Sequence, residues 1–322
     1  MRRVRVHSGQ VRVESAADPA PGPGEALVSL EAAVLLPEDI AAMRTHDVER
    51  ITPGAAFVGR VEAVSPERTD AAGAAMVGRR VVASIDCPPR TEEARELAAR
   101  GLGHHAGGRG ERGRTACDGC FAERFAVSLD ALAAIDESVD APSAALALPL
   151  GDALAGVHRA ELSRPGFTAV VGDGAVTLLA VQLAVVRDPS ARLIFTDERT
   201  GAHAERWGIK HRHLEDTGRR ADQASVITSM ECAAAAMGFV APRGRLVLVR
   251  EGAATPIETH AVLDGEADVV GARSASLAEA VGVLERGEVD AASLISSRHT
   301  LEGADEAFAA LARGGIAALI EC

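Results

Sequence analysis

Two glycines, Gly172 and Gly174, separate a predicted buried strand from an apolar helix in the stretch "VVGDGAVTLLA". The first permits a tight turn, and the second lets the backbone come close to a pyrophosphate group. The helix begins with Ala175, Val176 and Thr177, whose free N–H groups and helix dipole favour an anion. Thr177 takes the third glycine position of this fingerprint, at which glycine allows the closest helix–strand packing. The pattern predicts a dinucleotide site, and its alternative is a strand–helix turn that binds no ligand.

An acidic residue, Asp197, ends the next predicted strand, "RLIFTDE". A carboxylate at this position accepts hydrogen bonds from the ribose hydroxyls of NAD and repels the 2′-phosphate of NADP. Arg199, two residues further on, would reduce that preference. NAD is therefore the predicted cofactor and NADP the alternative; without a ligand, Asp197 is an ordinary surface aspartate.

Three polar residues in the first part of the chain are candidates for proton transfer. Glu38 and Asp39 lie in "VLLPEDI", and His46 lies in the loop that follows. Carboxylate and imidazole groups can donate or accept a proton at a reacting group. Solvated loop charges are the alternative interpretation of all three. The chain contains no tyrosine, so a mechanism that needs a tyrosine proton donor is excluded.

Composition sets the class of protein. The chain has 322 residues, of which 47% are hydrophobic and 25% charged, a balance typical of a soluble protein with two domains. The net charge of −12 and an aromatic content of 2% oppose binding to nucleic acid. No apolar run could span a bilayer, and "MRRVRVHSGQVRVE" lacks the apolar core of a signal peptide. We therefore expect a cytoplasmic protein with a small-molecule substrate and no nucleic-acid or membrane partner.

The pattern of predicted elements changes near Pro149. Before it, short strand-like runs separated by turn signals indicate a small barrel or sandwich. These runs are Val4–Val6, Val11–Val13, Ala26–Ala33, Phe57–Val64 and Gly78–Ser84. After it, strand, glycine turn, apolar helix and strand follow in the order of a βαβ unit. The chain is therefore predicted to be an α/β protein whose second part is a parallel sheet covered by helices.

In this order and spacing, the chain resembles the medium-chain dehydrogenase/reductase superfamily, in its zinc-type alcohol dehydrogenase-like branch. The segments that carry the resemblance include "PGAAFVGRVEAV", "VGRRVVA", "DGCFAERFAV", "VVGDGAVTLLAVQLA", "APRGRLVLV" and "DEAFAALARGGIAALIE". The resemblance implies a GroES-like β-rich catalytic domain over residues 1–148 and a Rossmann domain with a doubly wound parallel sheet over 149–275. A C-terminal segment over 276–322 would return to the first domain.

The zinc ligands of the family have no counterpart in this sequence. By register, the catalytic-zinc positions are Leu36, Ala55, Ala56 and Leu148, and these side chains offer no donor to a metal. The four cysteine positions of the structural zinc fall on Glu92, Arg95, Ala98 and Ala106. The resemblance therefore implies a member of the family that works without zinc.

Two functions remain open at this stage. The first is a zinc-independent NAD(P)-dependent oxidoreductase that transfers hydride to or from a small carbonyl, alcohol or activated alkene. The second is a catalytically degenerate family member that serves as a nucleotide-binding or protein-binding scaffold. The resemblance also implies that a homodimer could form through the edge of the Rossmann sheet, at "RGRLVLVR" and "EADVVGARS".

Overall fold

The computed structural model describes residues 1–7, 10–45, 52–68, 71–83, 118–162, 166–218, 221–273 and 275–322. The chain divides into two units. The first contains Met1–Leu148 and Ala291–Cys322, and the second contains Pro149–Asp290.

The first unit is built on a seven-stranded sheet. With strands numbered along the chain, the bounds are β1 Arg2–His7, β2 Gln10–Ser15, β3 Glu25–Leu35, β4 Ala56–Val64, β5 Arg80–Ala83, β6 Arg124–Ser128, β7 Leu132–Ala134, β14 Ile295–Thr300 and β15 Ala317–Glu321. The strands of the sheet pair in the order β14-β15-β3-β4-β5-β7, and β6 also pairs with β3, while β1 and β2 form a separate hairpin. Alternating burial along β3 shows why an alternating sequence folds here, since one face of the strand packs on the core.

In the described part of the first unit, four short helices and a set of phenylalanines pack with these strands. With helices also numbered along the chain, they are α1 Pro37–Thr45, α2 Ala71–Ala74, α3 Ala141–Ala145 and α11 Ala304–Ala312. Phe57 packs edge-on against Phe125 with ring centroids 4.7 Å apart, and Phe121 packs in the same way on Phe308 at 6.4 Å. Phe57, Phe121 and Phe125 belong to the buried core cluster of this unit, and Phe308 packs against it.

The second unit is a six-stranded sheet in which every pair of neighbours is parallel. The bounds of the strands are β8 Phe167–Val171, β9 Arg192–Phe195, β10 His211–His213, β11 Gln223–Ser229, β12 Val240–Val249 and β13 Asp268–Gly271. The strand order is β10-β9-β8-β11-β12-β13. The helices are α4 Ala147–Arg159, α5 Ala175–Arg187, α6 Glu198–Arg206, α7 Leu214–Thr217, α8 Ala233–Ala236, α9 Thr259–Asp264 and α10 Leu277–Glu285. The predicted α/β class with a Rossmann-type parallel sheet is confirmed.

The order of strands places a topological switch point between β8 and β11. From β8 the chain moves outward through β9 and β10, and it then returns to build β11, β12 and β13 on the other side. Helix α5 connects β8 to β9, and its first ten residues are all buried, as expected for a helix that is apolar all round. In open parallel sheets, ligands bind beside the carboxyl ends of the strands at such a switch point.

The structure differs from the sequence-based prediction at the C-terminal segment. That segment was expected to begin at residue 276, but α10 belongs to the second unit, which ends at Asp290. The reason is that Asp290 and α10 are tied to it by polar contacts: Asp290 N donates to Gln182 Oε1 at 2.7 Å, and Glu279 pairs with His158 at 2.9 Å. Strand β14 was not predicted, and it adds to the first sheet beside β15.

One end of the parallel sheet bears on the expected homodimer. Strand β12 lies between β11 and β13, so β13 alone of the two named strands is at a sheet edge. Val269 on β13 is 40% exposed. The homodimer itself stays a prediction.

Among the described residues, no helix combines the length and the apolar character needed to cross a membrane.

Buried His203 gives the second unit a predicted pH dependence. Its Nδ1 has no hydrogen-bond partner among the described residues, and its ring lies 5.4 Å from that of Trp207. Burial lowers the pKa of His203, and repulsion from Arg206 adds to the effect, while Asp290 opposes it. Because the unfolded chain then binds the proton more tightly, stability is expected to fall as the pH drops below about 6.5.

The fluorescence of Trp207, the single tryptophan of the chain, can follow urea unfolding at pH 7.5 and pH 5.5. The variant His203→Phe keeps an aromatic ring beside Trp207 but cannot take up a proton. We expect a smaller loss of unfolding free energy between the two pH values in this variant than in the wild type. Equal losses in the two proteins would contradict the assignment to His203.

Candidate functional site

The predicted glycine turn lies where β8 ends, at the switch point of the parallel sheet. Gly172 has φ +142°, and Gly174 has φ +98° with ψ −174°. A Cβ atom on Gly172 would lie 2.8 Å from Ser229 Oγ and 2.8 Å from Thr177 Oγ1. Both positions therefore need glycine, because the backbone angles and the neighbouring atoms leave no room for a side chain.

The N-terminus of α5 already carries an anion, and that anion is the side chain of Glu251. Its Oε1 accepts a hydrogen bond from Val176 N at 2.7 Å, and its Oε2 accepts from Thr177 N at 3.1 Å. The hydroxyl of Thr177 donates to the same Oε2 at 2.5 Å. Glu251 is only 6% exposed. Two of the four orphan N–H groups of the helix are thus satisfied by a carboxylate of the same chain.

The backbone around Glu251 is fixed to the segment that follows β11. Met230 N donates to Glu251 O at 3.1 Å, and Thr255 N donates to Met230 O at 3.1 Å. Thr255 Oγ1 also donates to Met230 O, at 3.0 Å. The loop after β12 is therefore held on the carboxyl edge of the sheet, and this places Glu251 in front of α5.

The preceding residue, Arg250, is held by the helix on the other side. Its Nη2 donates to Asp152 Oδ2 at 2.8 Å, and its Nε donates to the same oxygen at 3.3 Å. Asp152 lies in α4 and is 3% exposed, and its Oδ1 has no hydrogen-bond partner among the described residues. Arg250 thus joins the end of β12 to α4 through an ion pair, and Glu251 joins it to α5 through buried hydrogen bonds.

The pKa of the Cys232 thiol is affected by several negative charges at this edge of the sheet. Burial raises its pKa, a hydrogen bond with Ser229 opposes the shift, and the charges of Asp173, Glu231 and Glu251 raise it further. The thiol therefore stays protonated at neutral pH, so it is not an activated nucleophile. The same three carboxylates oppose the approach of a second anion.

The predicted ribose-binding carboxylate, Asp197, lies at the start of α6. Its side chain accepts from Arg199 N at 2.9 Å and from Arg199 Nε at 2.9 Å. The hydrogen bond with the Arg199 side chain lowers the pKa of Asp197, against the effect of burial. Asp173 Oδ1, in the glycine turn, accepts from Asp197 N at 2.9 Å. Asp197 is charged and partly exposed, but it is already paired with Arg199; its role toward ribose stays a prediction.

The structure gives one of the candidate proton donors a structural role. Asp39 is fully buried, and its Oδ2 accepts from Leu36 N at 2.9 Å, which caps the first turn of α1. Glu38 is half-buried in the same turn. His46 lies outside the described residues. The catalytic roles of all three residues stay predictions.

The positions that the resemblance assigns to catalytic zinc carry buried apolar side chains. Leu36, Ala55, Ala56 and Leu148 are each at most 4% exposed. The turn before Ala55 is held by a backbone hydrogen bond, in which Phe121 N donates to Pro53 O at 3.0 Å. These side chains do not fit a zinc ion, because none has a donor atom. Within the described ranges, no three His, Cys, Asp or Glu residues are grouped to hold a metal, and the four structural-zinc positions lie outside those ranges.

Glu251 was missed in the sequence-based prediction. Two consecutive charges, Arg250 and Glu251, follow the buried strand in "RGRLVLVREG". Charged residues at the carboxyl end of a parallel strand lie where ligands bind such sheets, so the pattern could have marked them. A dinucleotide needs the N–H groups that Glu251 now occupies, so the residues do not fit a pyrophosphate in this arrangement.

Comparisons with a protein family and with solved structures agree with the fold described above. Residues 22–137 match the alcohol dehydrogenase GroES-like domain family. The sequence matches no curated protein. Among solved structures, it is similar to alcohol dehydrogenase TADH from Thermus sp. ATN1, with a TM-score of 0.85 and 21% identity. It is also similar to a putative zinc-binding dehydrogenase from Sinorhizobium meliloti 1021 bound to NADP, at 0.82 and 21%, and to a short chain alcohol dehydrogenase from Escherichia coli CFT073 complexed with NADH, at 0.86 and 17%. Each alignment covers 100% of this chain and 99% of the other.

The chain therefore has an alcohol dehydrogenase-like fold. Residues 22–137 match the GroES-like domain of alcohol dehydrogenases, and the chain as a whole has the fold of the similar dehydrogenase structures.

Proposed function

We propose that this chain is a catalytically degenerate alcohol dehydrogenase-like protein, which keeps the oxidoreductase framework as a scaffold and does not transfer hydride. The observation that carries the proposal is the carboxylate of Glu251 on Val176 N and Thr177 N. A pyrophosphate would have to displace this buried side chain or lie beside it as a second anion. Either arrangement is unfavourable, because unpaired charges are costly to bury.

The two other places where hydride chemistry needs polar groups support the same proposal. A metal ion that acts as a Lewis acid needs donor side chains, and none is present at the four positions Leu36, Ala55, Ala56 and Leu148. The carboxylate of Asp39 is used to cap α1. Three separate features thus argue against hydride transfer.

A second candidate function is the zinc-independent NAD(P)-dependent oxidoreductase. It is favoured by the turn of Gly172 and Gly174, which still has the backbone angles that a close approach to phosphate requires. It is also favoured by Asp197, which lies between β9 and α6, and by similar structures that were solved with NADP and NADH. In this case Asp197 would hold the adenosine ribose, and the nicotinamide ring would supply or accept the hydride.

Titration with NADH and NADPH by calorimetry separates the two functions. A degenerate scaffold should show no binding at about 1 mM nucleotide, which corresponds to a binding free energy weaker than about −4 kcal/mol. Turnover with any member of a panel of aldehydes, alcohols, quinones and enones would overturn the proposal. If NADH binds, the matched variant Asp197→Ala should weaken NADH more than NADPH, as the ribose contact requires.

A further inference from the structure

We propose that Glu251 is an internal substitute for phosphate, which closes an otherwise intact anion cradle at the N-terminus of α5. Its two oxygens accept separate hydrogen bonds from Val176 N and Thr177 N, as the oxygens of a phosphate group would. The inference rests on the proposed function and names the residue that excludes phosphate-containing dinucleotides.

The remaining parts of the cradle are present around Glu251. Gly172 and Gly174 keep positive φ values, and a Cβ on Gly174 would lie 2.7 Å from Glu251 Oε1. The carboxylate therefore lies directly against the glycine at which a bound phosphate would approach the backbone. The hydroxyl of Thr177 adds a third donor to the same group.

A soluble anion cannot compete readily with a tethered one. Glu251 is bound through its own backbone to the segment after β11, so it is present at the helix terminus without any loss of translational freedom. A dinucleotide at about millimolar concentration bears that entropic cost in full. It must also approach through the field of Asp173 and Glu231, which acts on Cys232.

The test compares NADH binding to the wild type and to three variants by calorimetry and by the shift in Tm. Glu251→Ala removes the carboxylate, and Glu251→Gln removes its charge with the same shape. Glu231→Gln is the matched control, because it removes a charge that acts on the same Cys232 thiol and leaves Glu251 on the helix. Inorganic pyrophosphate is a second probe, which needs no ribose or nicotinamide contact.

We expect Glu251→Ala to bind NADH and pyrophosphate at least tenfold more tightly than the wild type, which is about 1.4 kcal/mol. NADH should also raise the Tm of this variant, while Glu231→Gln, which removes only one contribution to the repulsive field and leaves Glu251 on the helix, should gain far less affinity. A folded Glu251→Ala protein that gains no affinity would overturn the inference, as would an equal gain in Glu231→Gln. If Glu251→Ala does not fold, the same outcomes are read from Glu251→Gln.

The two proposals fail in different ways. Turnover by the wild type contradicts the degenerate function, whatever the variants do. An absence of gain in the Glu251 variants, with no turnover by the wild type, contradicts only the role of Glu251.

Discussion

A Gly174→Ala protein is expected to lose about 3 kcal/mol of unfolding free energy. Gly174 has φ +98° and ψ −174°, a region that is close to exclusive to glycine and costs other residues about 1–3 kcal/mol. In addition, the new Cβ would meet Glu251 Oε1 at 2.7 Å and Cδ at 3.0 Å. The carboxylate would have to move and release its hydrogen bonds to α5. Urea unfolding followed by Trp207 fluorescence measures the loss.

Gly208→Ala is the matched control in the same unit. Gly208 also has a positive φ, +67°, but a Cβ there would have no atom within 4 Å. We expect this change to cost only about 1 kcal/mol, from backbone strain. In a Glu251→Ala background, Gly174→Ala should cost less than it does in the wild type, because the clash is gone. Equal costs for Gly174→Ala and Gly208→Ala would show that Glu251 does not lie against the turn.

The glycine turn and its flanking elements could be predicted because their signals are local. Buried apolar runs in β8 and β9, two glycines and an apolar helix follow one another within about thirty residues, the span of one βαβ unit. Each element is fixed by its own residues and by its nearest neighbours in the chain. Fold class and the place of α5 followed from that pattern.

The occupant of the helix terminus could not be predicted in the same way. Glu251 lies 75 residues from Val176 along the chain, so its position depends on the order of strands in the sheet. Spacing in the sequence does not reveal that order. Thr177 is an example: in the sequence it only departs from the glycine fingerprint, whereas in the structure its hydroxyl donates to Glu251.

The capping role of Asp39 could have been predicted from the sequence. An acidic residue three positions after Leu36, with proline between them, is a local signal for the start of a helix. The cap needs no ligand, whereas a catalytic role would need a substrate beside the carboxylate, so the sequence pattern by itself favours the cap.

Arg250→Met is expected to cost about 3 kcal/mol of unfolding free energy, since it leaves the carboxylate of Asp152 buried and without its cation. Asp152 is 3% exposed, and its Oδ1 already has no partner among the described residues. The double variant Asp152→Leu/Arg250→Met should recover most of the loss, because removal of both charges also removes the cost of burying them. Urea unfolding of the two single variants and the double variant gives the coupling energy.

A double variant as unstable as the sum of the two single variants would contradict this account of the ion pair. The same proteins also test how Glu251 is held, because Arg250 is its neighbour and fixes the end of β12 to α4. If that contact keeps Glu251 in place, Arg250→Met should speed amide hydrogen exchange at Val176 and Thr177. The ion pair would then be the support of the carboxylate that closes α5, and its loss should weaken the exclusion of nucleotide as well as the fold.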